Sequence, residues 1–160
     1  MLGNGSDKDT MEYTLKYNPP MDLAVAKTNL KEIKQVLEQL GVVFLLGSGT
    51  CLGATRDKAL MPWDDDIDLL SVLGVNGLTE AKVDAVADAL REKGYFIREF
   101  AMANSKCFAT VKNYVRISLE CVRMADDIII LFPGFKIPAI MFTQPKEIEF
   151  LGEQLLVPNP

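Results

Sequence analysis

The run Met61-Pro62-Trp63-Asp64-Asp65-Asp66-Ile67-Asp68-Leu69-Leu70 places four carboxylates within five positions and then enters an apolar segment. A solvated acidic loop leads into polar residues. This one leads into Ile67, Leu69 and Leu70, which reads as the start of a buried strand. Side chains alternate across a strand, so Asp64, Asp66 and Asp68 share one face while Asp65, Ile67 and Leu69 share the other. Same-face neighbours lie about 6.5–7 Å apart at Cα. Carboxylates on that spacing can converge on two divalent cations held about 3.5–4 Å apart. Three of them repel one another unless a cation sits among them. The plainer alternative is an acidic turn that caps a strand.

The preceding segment favours the metal reading. Val42-Val43-Phe44-Leu45-Leu46 is an apolar run of strand length, followed by Gly47-Ser48-Gly49-Thr50 and Cys51-Leu52-Gly53-Ala54-Thr55-Arg56. A strand that passes through small residues into a helix exposes backbone N–H groups at the helix start. These form an anion site, to which the Thr50 hydroxyl adds a donor. Arg56, on the same short helix, can contact a phosphate. Such turns also serve simply as helix caps. A phosphate cradle beside a carboxylate pair is what nucleotidyl or phosphoryl transfer requires: the phosphates are positioned and their charge neutralised.

Residues Ser48–Arg56 together with Met61–Asp68 resemble the LicD-type nucleotidyltransferases, the group that includes fukutin and fukutin-related protein. These carry a Gly-Gly-Ser/Thr-Leu-Leu-Gly-Ala-x-Arg segment followed by Ile-Pro-Trp-Asp-x-Asp-x-Asp. The resemblance extends over most of residues 25–160, with motif strength over 48–69, and includes Ile148-Glu149-Phe150-Leu151-Gly152 through Val157-Pro158. It implies the nucleotidyltransferase fold shared with DNA polymerase β, an α+β domain with a mixed sheet flanked by helices. It also implies metal-dependent transfer of a phospho-substituent, such as phosphocholine or phosphoribitol, from a CDP-linked donor to a glycan or small-molecule hydroxyl. In that reading Asp66 and Asp68, with Asp64, hold Mg²⁺ or Mn²⁺. Ser48, Gly49, Thr50, Arg56 and Arg116 contact the nucleotide phosphates.

Two departures bear on the chemistry. The family has His after the motif arginine; here Asp57 stands there, and the chain has no His at all. The fold also supplies a third carboxylate from a neighbouring strand in an Arg-Ile-Asp context. Val115-Arg116-Ile117-Ser118-Leu119-Glu120-Cys121 has that shape with Ser118 in the acid position. Arg116, Ser118 and Glu120 share a strand face, so Glu120, displaced by two residues, is the candidate third carboxylate. A site with two carboxylates, giving an inactive nucleotide- or metal-binding member, is the alternative. An antibiotic-type nucleotidyltransferase using NTP is a second one. Asp126 and Asp127 read as a hairpin turn. Trp63 reads as packing under the loop, and Arg98, Lys106 and Lys112 as solvated cations.

Composition sets the outer bounds. A chain of 160 residues, 49% of them hydrophobic, has enough apolar side chains for one sizeable core. Residues 1–18 read as a flexible N-terminal segment and 19–160 as one domain, C-terminally short where the family continues into a helix. A net charge of −5 argues against a nucleic-acid partner. No apolar run reaches transmembrane length and no secretory signal is evident. Three cysteines without zinc-ligand spacing read as reduced thiols, and a cytoplasmic location is expected. Periodicity predicts helices from Pro19 to about Gly41, near 50–57 and over 80–93. It predicts strands at 42–46, 66–71, 95–100, 107–112, 114–122, 127–132, 136–142 and 147–157.

Overall fold

The structure, a computed structural model, describes residues 8–47, 66–102, 105–131 and 135–159. Two long helices form where the apolar spacing predicts them. Helix α2, Leu23–Gln39, starts at Asp22, whose carboxylate accepts from the backbone N–H groups of Ala24 and Val25. The two prolines at 19 and 20 therefore precede the cap rather than open the helix. Helix α3, Glu80–Glu92, is capped by Thr79, which accepts from Lys82 N. The apolar stripes Ala26, Leu30, Ile33 and Leu37 on α2 and Val83, Val86 and Leu90 on α3 are all buried in one core.

That core lies under a five-stranded mixed sheet ordered β1-β2-β5-β4-β3. Its strands are β1 (Leu45–Leu46), β2 (Asp66–Val72), β3 (Phe96–Met102), β4 (Ser105–Lys112) and β5 (Val115–Val122). β2 pairs in parallel with β5, whereas β1–β2, β3–β4 and β4–β5 are antiparallel. The β4–β5 hairpin turns on Asn113 and Tyr114, both left-handed at φ 52° and 64°, the conformation a two-residue turn of the primed type needs. Ile67, Leu69, Phe108, Ile117, Leu119 and Cys121 point from the sheet into the helix side. Phe108, fully buried there, would cost about 3–5 kcal/mol on truncation to Ala.

Several elements differ from expectation. Residues 8–17, read as flexible from their polarity, form helix α1 (Lys8–Tyr17), which buries Thr10, Met11 and Thr14. Of 42–46 only two residues join a ladder. Val42 and Phe44 are buried, but the Val43 N–H bonds the Asn76 carbonyl instead of a strand. The 127–132 and 136–142 segments belong to a second, three-stranded sheet of β6 (Met124–Ala125), β7 (Ile128–Leu131) and β8 (Phe135–Pro138). The second of them ends in a 3-10 turn, Ala139–Phe142. Asp126 and Asp127 form the β6–β7 turn, as expected. The single strand expected over 147–157 is a hairpin of β9 (Lys146–Phe150) and β10 (Glu153–Val157). It reverses at Leu151 and Gly152, both at positive φ. The predicted 50–57 helix lies outside the described residues. No helix among the described residues is long and apolar enough to cross a membrane.

Gly77 closes the β2–α3 connection. Its φ is +76°, and a Cβ added there would run into the Gly41 carbonyl. Asn76 beside it is buried. Its Oδ1 accepts from Val72 N, and its Nδ2 donates to the Phe142 carbonyl. The end of β2 is thereby tied to the 3-10 turn.

Candidate functional site

The register of the sheet assembles the site. Directly opposed residues on neighbouring strands project from the same face, and β2 and β5 oppose Asp66 with Arg116, Asp68 with Ser118, and Leu70 with Glu120. β4 continues these rows with Val111, Ala109 and Cys107, and β3 with Phe96, Arg98 and Phe100. Asp66, Asp68, Arg116, Ser118 and Glu120 thus share the face opposite the α2–α3 layer. The alternation expected of Arg116, Ser118 and Glu120 is observed.

This face is closed at both ends. Towards the C-termini of β2 and β5, Leu70, Val72 and Val122 pack with Ile129, Ala139 and Phe142 in a second core. Towards the other end, Val111 and Ala109 are buried although they belong to neither of the two cores, as is Met11 of α1. Helix α1 packs on β4 and β5, so α1 covers this end, and Tyr13 meets Tyr114 edge-on at 6.0 Å. Between the two covers the half-buried carboxylates Asp66, Asp68 and Glu120 remain in contact with solvent.

Arg116 Nη2 donates to Asp66 Oδ2 at 3.1 Å, with 30% of the Arg116 side chain and 13% of the Asp66 side chain exposed. The Arg116 Nε is buried and has no hydrogen-bond partner among the described residues. Burial holds the Glu120 carboxyl above its ordinary range, and a hydrogen bond from Ser105 partly offsets this. Cys107 lies opposite Glu120. Burial pushes its thiol up to about 11, the Glu120 and Asp68 charges push in the same direction, and Arg116 opposes them. That thiol is protonated at neutral pH and is no nucleophile.

Asp66 and Asp68 are hard oxygen donors on one face and one strand step apart, which suits Mg²⁺ or Mn²⁺. Among the described residues, no three His, Cys, Asp or Glu side chains are gathered closely enough to hold a metal ion. Glu120 stands level with Leu70, one step beyond Asp68, and Ser118 is the residue beside Asp68. Asp64, Ser48, Gly49, Thr50 and Arg56 lie outside the described residues. Two of the cations read as solvated are held by acids elsewhere: Lys106 by Glu99 and Asp84, and Lys112 by Glu32. A cavity of about 220 Å³ bordered by Lys34, Phe44 and Gln154 shares no lining residue with the carboxylate face.

Residues 41–160 match the family model described as LicD/FKTN/FKRP, nucleotidyltransferase domain. The chain belongs to this LicD family. Within it, the chain is similar to the ribitol 5-phosphate transferase FKRP of Homo sapiens and to that of Mus musculus. Each is 32% identical over 90 residues, which is 56% of this chain and 18% of the relative. The chain therefore spans a small part of the curated relatives it matches. A solved structure of ANT(2")-Ia in complex with adenylyl-2"-tobramycin superposes at a TM-score of 0.57 with 14% identity. The match covers 84% of this LicD chain and 70% of the other. The fold is that of a nucleotidyltransferase, α+β with a mixed sheet, as the resemblance to the LicD group implied.

Site residues of this LicD domain that sequence reading missed are those contributed by register. Cys107 shares the face of Glu120, Arg98 and Phe100 extend that face, and α1 covers one end of it. The signal for the first was present: a hairpin turning on Asn113-Tyr114 pairs positions that sum to 227, and 107 with 120 is one such pair.

Proposed function

We propose that this chain catalyses metal-dependent transfer of a phospho-substituent, phosphocholine-like in size, from a CDP-linked donor to a glycan hydroxyl. The observation that carries the reading is the placement of Asp66 and Asp68 together on the open part of a nucleotidyltransferase sheet, next to Arg116. The family match and the curated relatives' name, ribitol 5-phosphate transferase, support a donor that carries a phospho-substituent.

Asp66 and Asp68, joined by Asp64, are the residues that would hold Mg²⁺ or Mn²⁺. Bound there, the cations would neutralise the donor diphosphate and acidify the acceptor hydroxyl. The acceptor oxygen forms a bond to the distal phosphorus, the bond from that phosphorus to the bridging oxygen breaks, and CMP leaves with the electron pair. Ser48, Gly49, Thr50 and Arg56 hold the donor diphosphate and then the departing CMP phosphate, and Arg116 offers its guanidinium on the same side. Glu120 takes the acceptor's proton, a role suited to a carboxyl with raised proton affinity.

The position of Ser118 level with Asp68 favours a second reading, a member that binds nucleotide and metal without turnover. Incubating the protein with CDP-choline or CDP-ribitol and Mg²⁺, and measuring CMP by mass spectrometry, decides between them. CMP release that Asp68→Asn abolishes is the expected result. Binding of CDP without CMP release supports the inactive member, and transfer of AMP from ATP instead would replace the donor assignment.

A further inference from the structure

Strand β7 carries Ile128-Ile129-Ile130, three β-branched residues in a row. Such a run belongs to a strand covered on both faces, whereas an antiparallel strand with one face in water alternates apolar with polar. One face of β7 is covered. Ile129 is fully buried in the second core with Ala139, and Ile137, opposite Ile129, packs against that core. The other face is apolar and open. Ile128 and Ile130 point to it, with Ala125 and Pro138 opposite Ile128. The Ala139 N–H bonds the Asp127 carbonyl, so the ladder runs one step past β8. Ala139 turns inward there, and Ile140 turns outward. Ile128 is 39% exposed and Ile140 74%.

The charges of this face lie at its ends. Asp126 and Asp127 form the turn at one end. Lys136, opposite Ile130, stands three residues along β7 at the other, about 10 Å away. All three are exposed, and among the described residues none of them makes an ion pair. An apolar middle with acids at one end and a base at the other is complementary to a second copy of itself turned about a two-fold axis lying in the face. We propose that the outer face of the β6–β8 sheet pairs with the same face of a second copy of this chain. Lys136 of each copy then meets the Asp126–Asp127 turn of the other, and Ile128 and Ile140 leave water between them. Edge-to-edge pairing is the poorer route, since β6 has two residues and β8 ends at a proline, which cannot donate to a ladder. A lipid surface is the poorer occupant, since anionic headgroups select basic faces and here two acids outnumber one base. The face is small, which places the pair in the weak, exchanging class.

Analytical ultracentrifugation of the full chain across about 0.01–1 mM tests this. Wild type should show reversible monomer–dimer exchange in that range. Ile140→Ser should weaken the dimer about tenfold, with the melting temperature of the monomer unchanged because the side chain is exposed. Lys136→Glu and Asp127→Lys should each weaken self-association about tenfold, the second leaving the left-handed Asp126 in place. Mixed in equal amounts, these two variants should form a heterodimer near wild-type affinity, because each supplies the charge that the other lacks. The double variant should likewise dimerise more tightly than either single one. A wild-type chain that stays monomeric at about 1 mM overturns the proposal. So does a dimer that none of these substitutions weakens, or one that the mixture fails to restore. Co-sedimentation of a monomeric wild-type chain with phosphatidylcholine–phosphatidylserine vesicles, lost in Ile140→Ser, would give the face to a lipid surface instead and also overturns it.

Discussion

Arg116 and Asp66 face each other across the parallel β2–β5 step, with Nη2 3.1 Å from Oδ2. The guanidinium therefore neutralises the same carboxylate that the proposed chemistry assigns to a cation. Replacing Arg116 with Met should destabilise the protein by roughly 1–3 kcal/mol, because a largely buried carboxylate loses a charged partner. Added Mg²⁺ should recover part of that loss. Urea unfolding with and without Mg²⁺ measures both effects. A stability unchanged by the substitution would mean that the pair contributes nothing.

Cation binding to the native state alone must raise the melting temperature, by an amount equivalent to about 2.7 kcal/mol at a hundred times the dissociation constant. Wild type should respond to Mg²⁺ or Mn²⁺ in the presence of CDP, and Asp68→Asn should lose the response. Thermal melts in EDTA and in each metal check this. An identical response in Asp68→Asn would move the metal off β2.

Glu120 gives a pH test with a definite sign. Its carboxyl is held above the ordinary 4.5, chiefly by burial. Below that value it is protonated in both folded and unfolded chains and costs nothing. As pH rises past it, the unfolded chain ionises more readily than the folded one, and stability is lost. Glu120→Gln should therefore raise the melting temperature at pH 7, with the gain shrinking towards zero near pH 4. If Glu120 also accepts the acceptor's proton, the same variant should abolish CMP release, while Ser118→Ala leaves it nearly unchanged. Activity in Ser118→Asp but not in wild type would instead identify a site that lost its third carboxylate.

Gly77→Ala should cost roughly 1–3 kcal/mol. The position is left-handed, and the new methyl would meet the Gly41 backbone rather than a side chain that can swing away. Gly74→Ala, also at positive φ but with open space around it, should cost less. Chemical denaturation of the two variants side by side separates crowding from backbone strain.

Legibility followed periodicity. The stripe on α2, the Thr79 cap and the alternation on β2 and β5 are local signals, and they were readable. Helix α1 was not, because its sequence is polar overall and it buries chiefly Met11 and two threonines. Its hold on the domain comes from a sheet face that local pattern cannot show. The stretch 42–46 looked like a full strand because Val42 and Phe44 are buried, yet burial there comes from packing and not from a ladder. In the candidate site, Asp66, Asp68, Arg116 and Glu120 were named from the sequence, and the sheet puts them on one face. Their relative height was not legible there, since the parallel register that sets Ser118 beside Asp68 depends on pairing across fifty residues.

That parallel step also bears on how the molecule assembles. The β4–β5 hairpin closes through two residues, so it can form early. β2 can join β5 only after the long intervening chain, α3 included, has collapsed against the sheet, and such distant pairings are slow to nucleate. Asp66 and Asp68 stand on one side of this late seam, and Arg116, Ser118 and Glu120 on the other. A chain caught during synthesis or partial unfolding with the hairpin formed and the seam open would hold much of its sheet but no carboxylate centre. Competence to bind a cation should thus appear with the last cooperative step of folding.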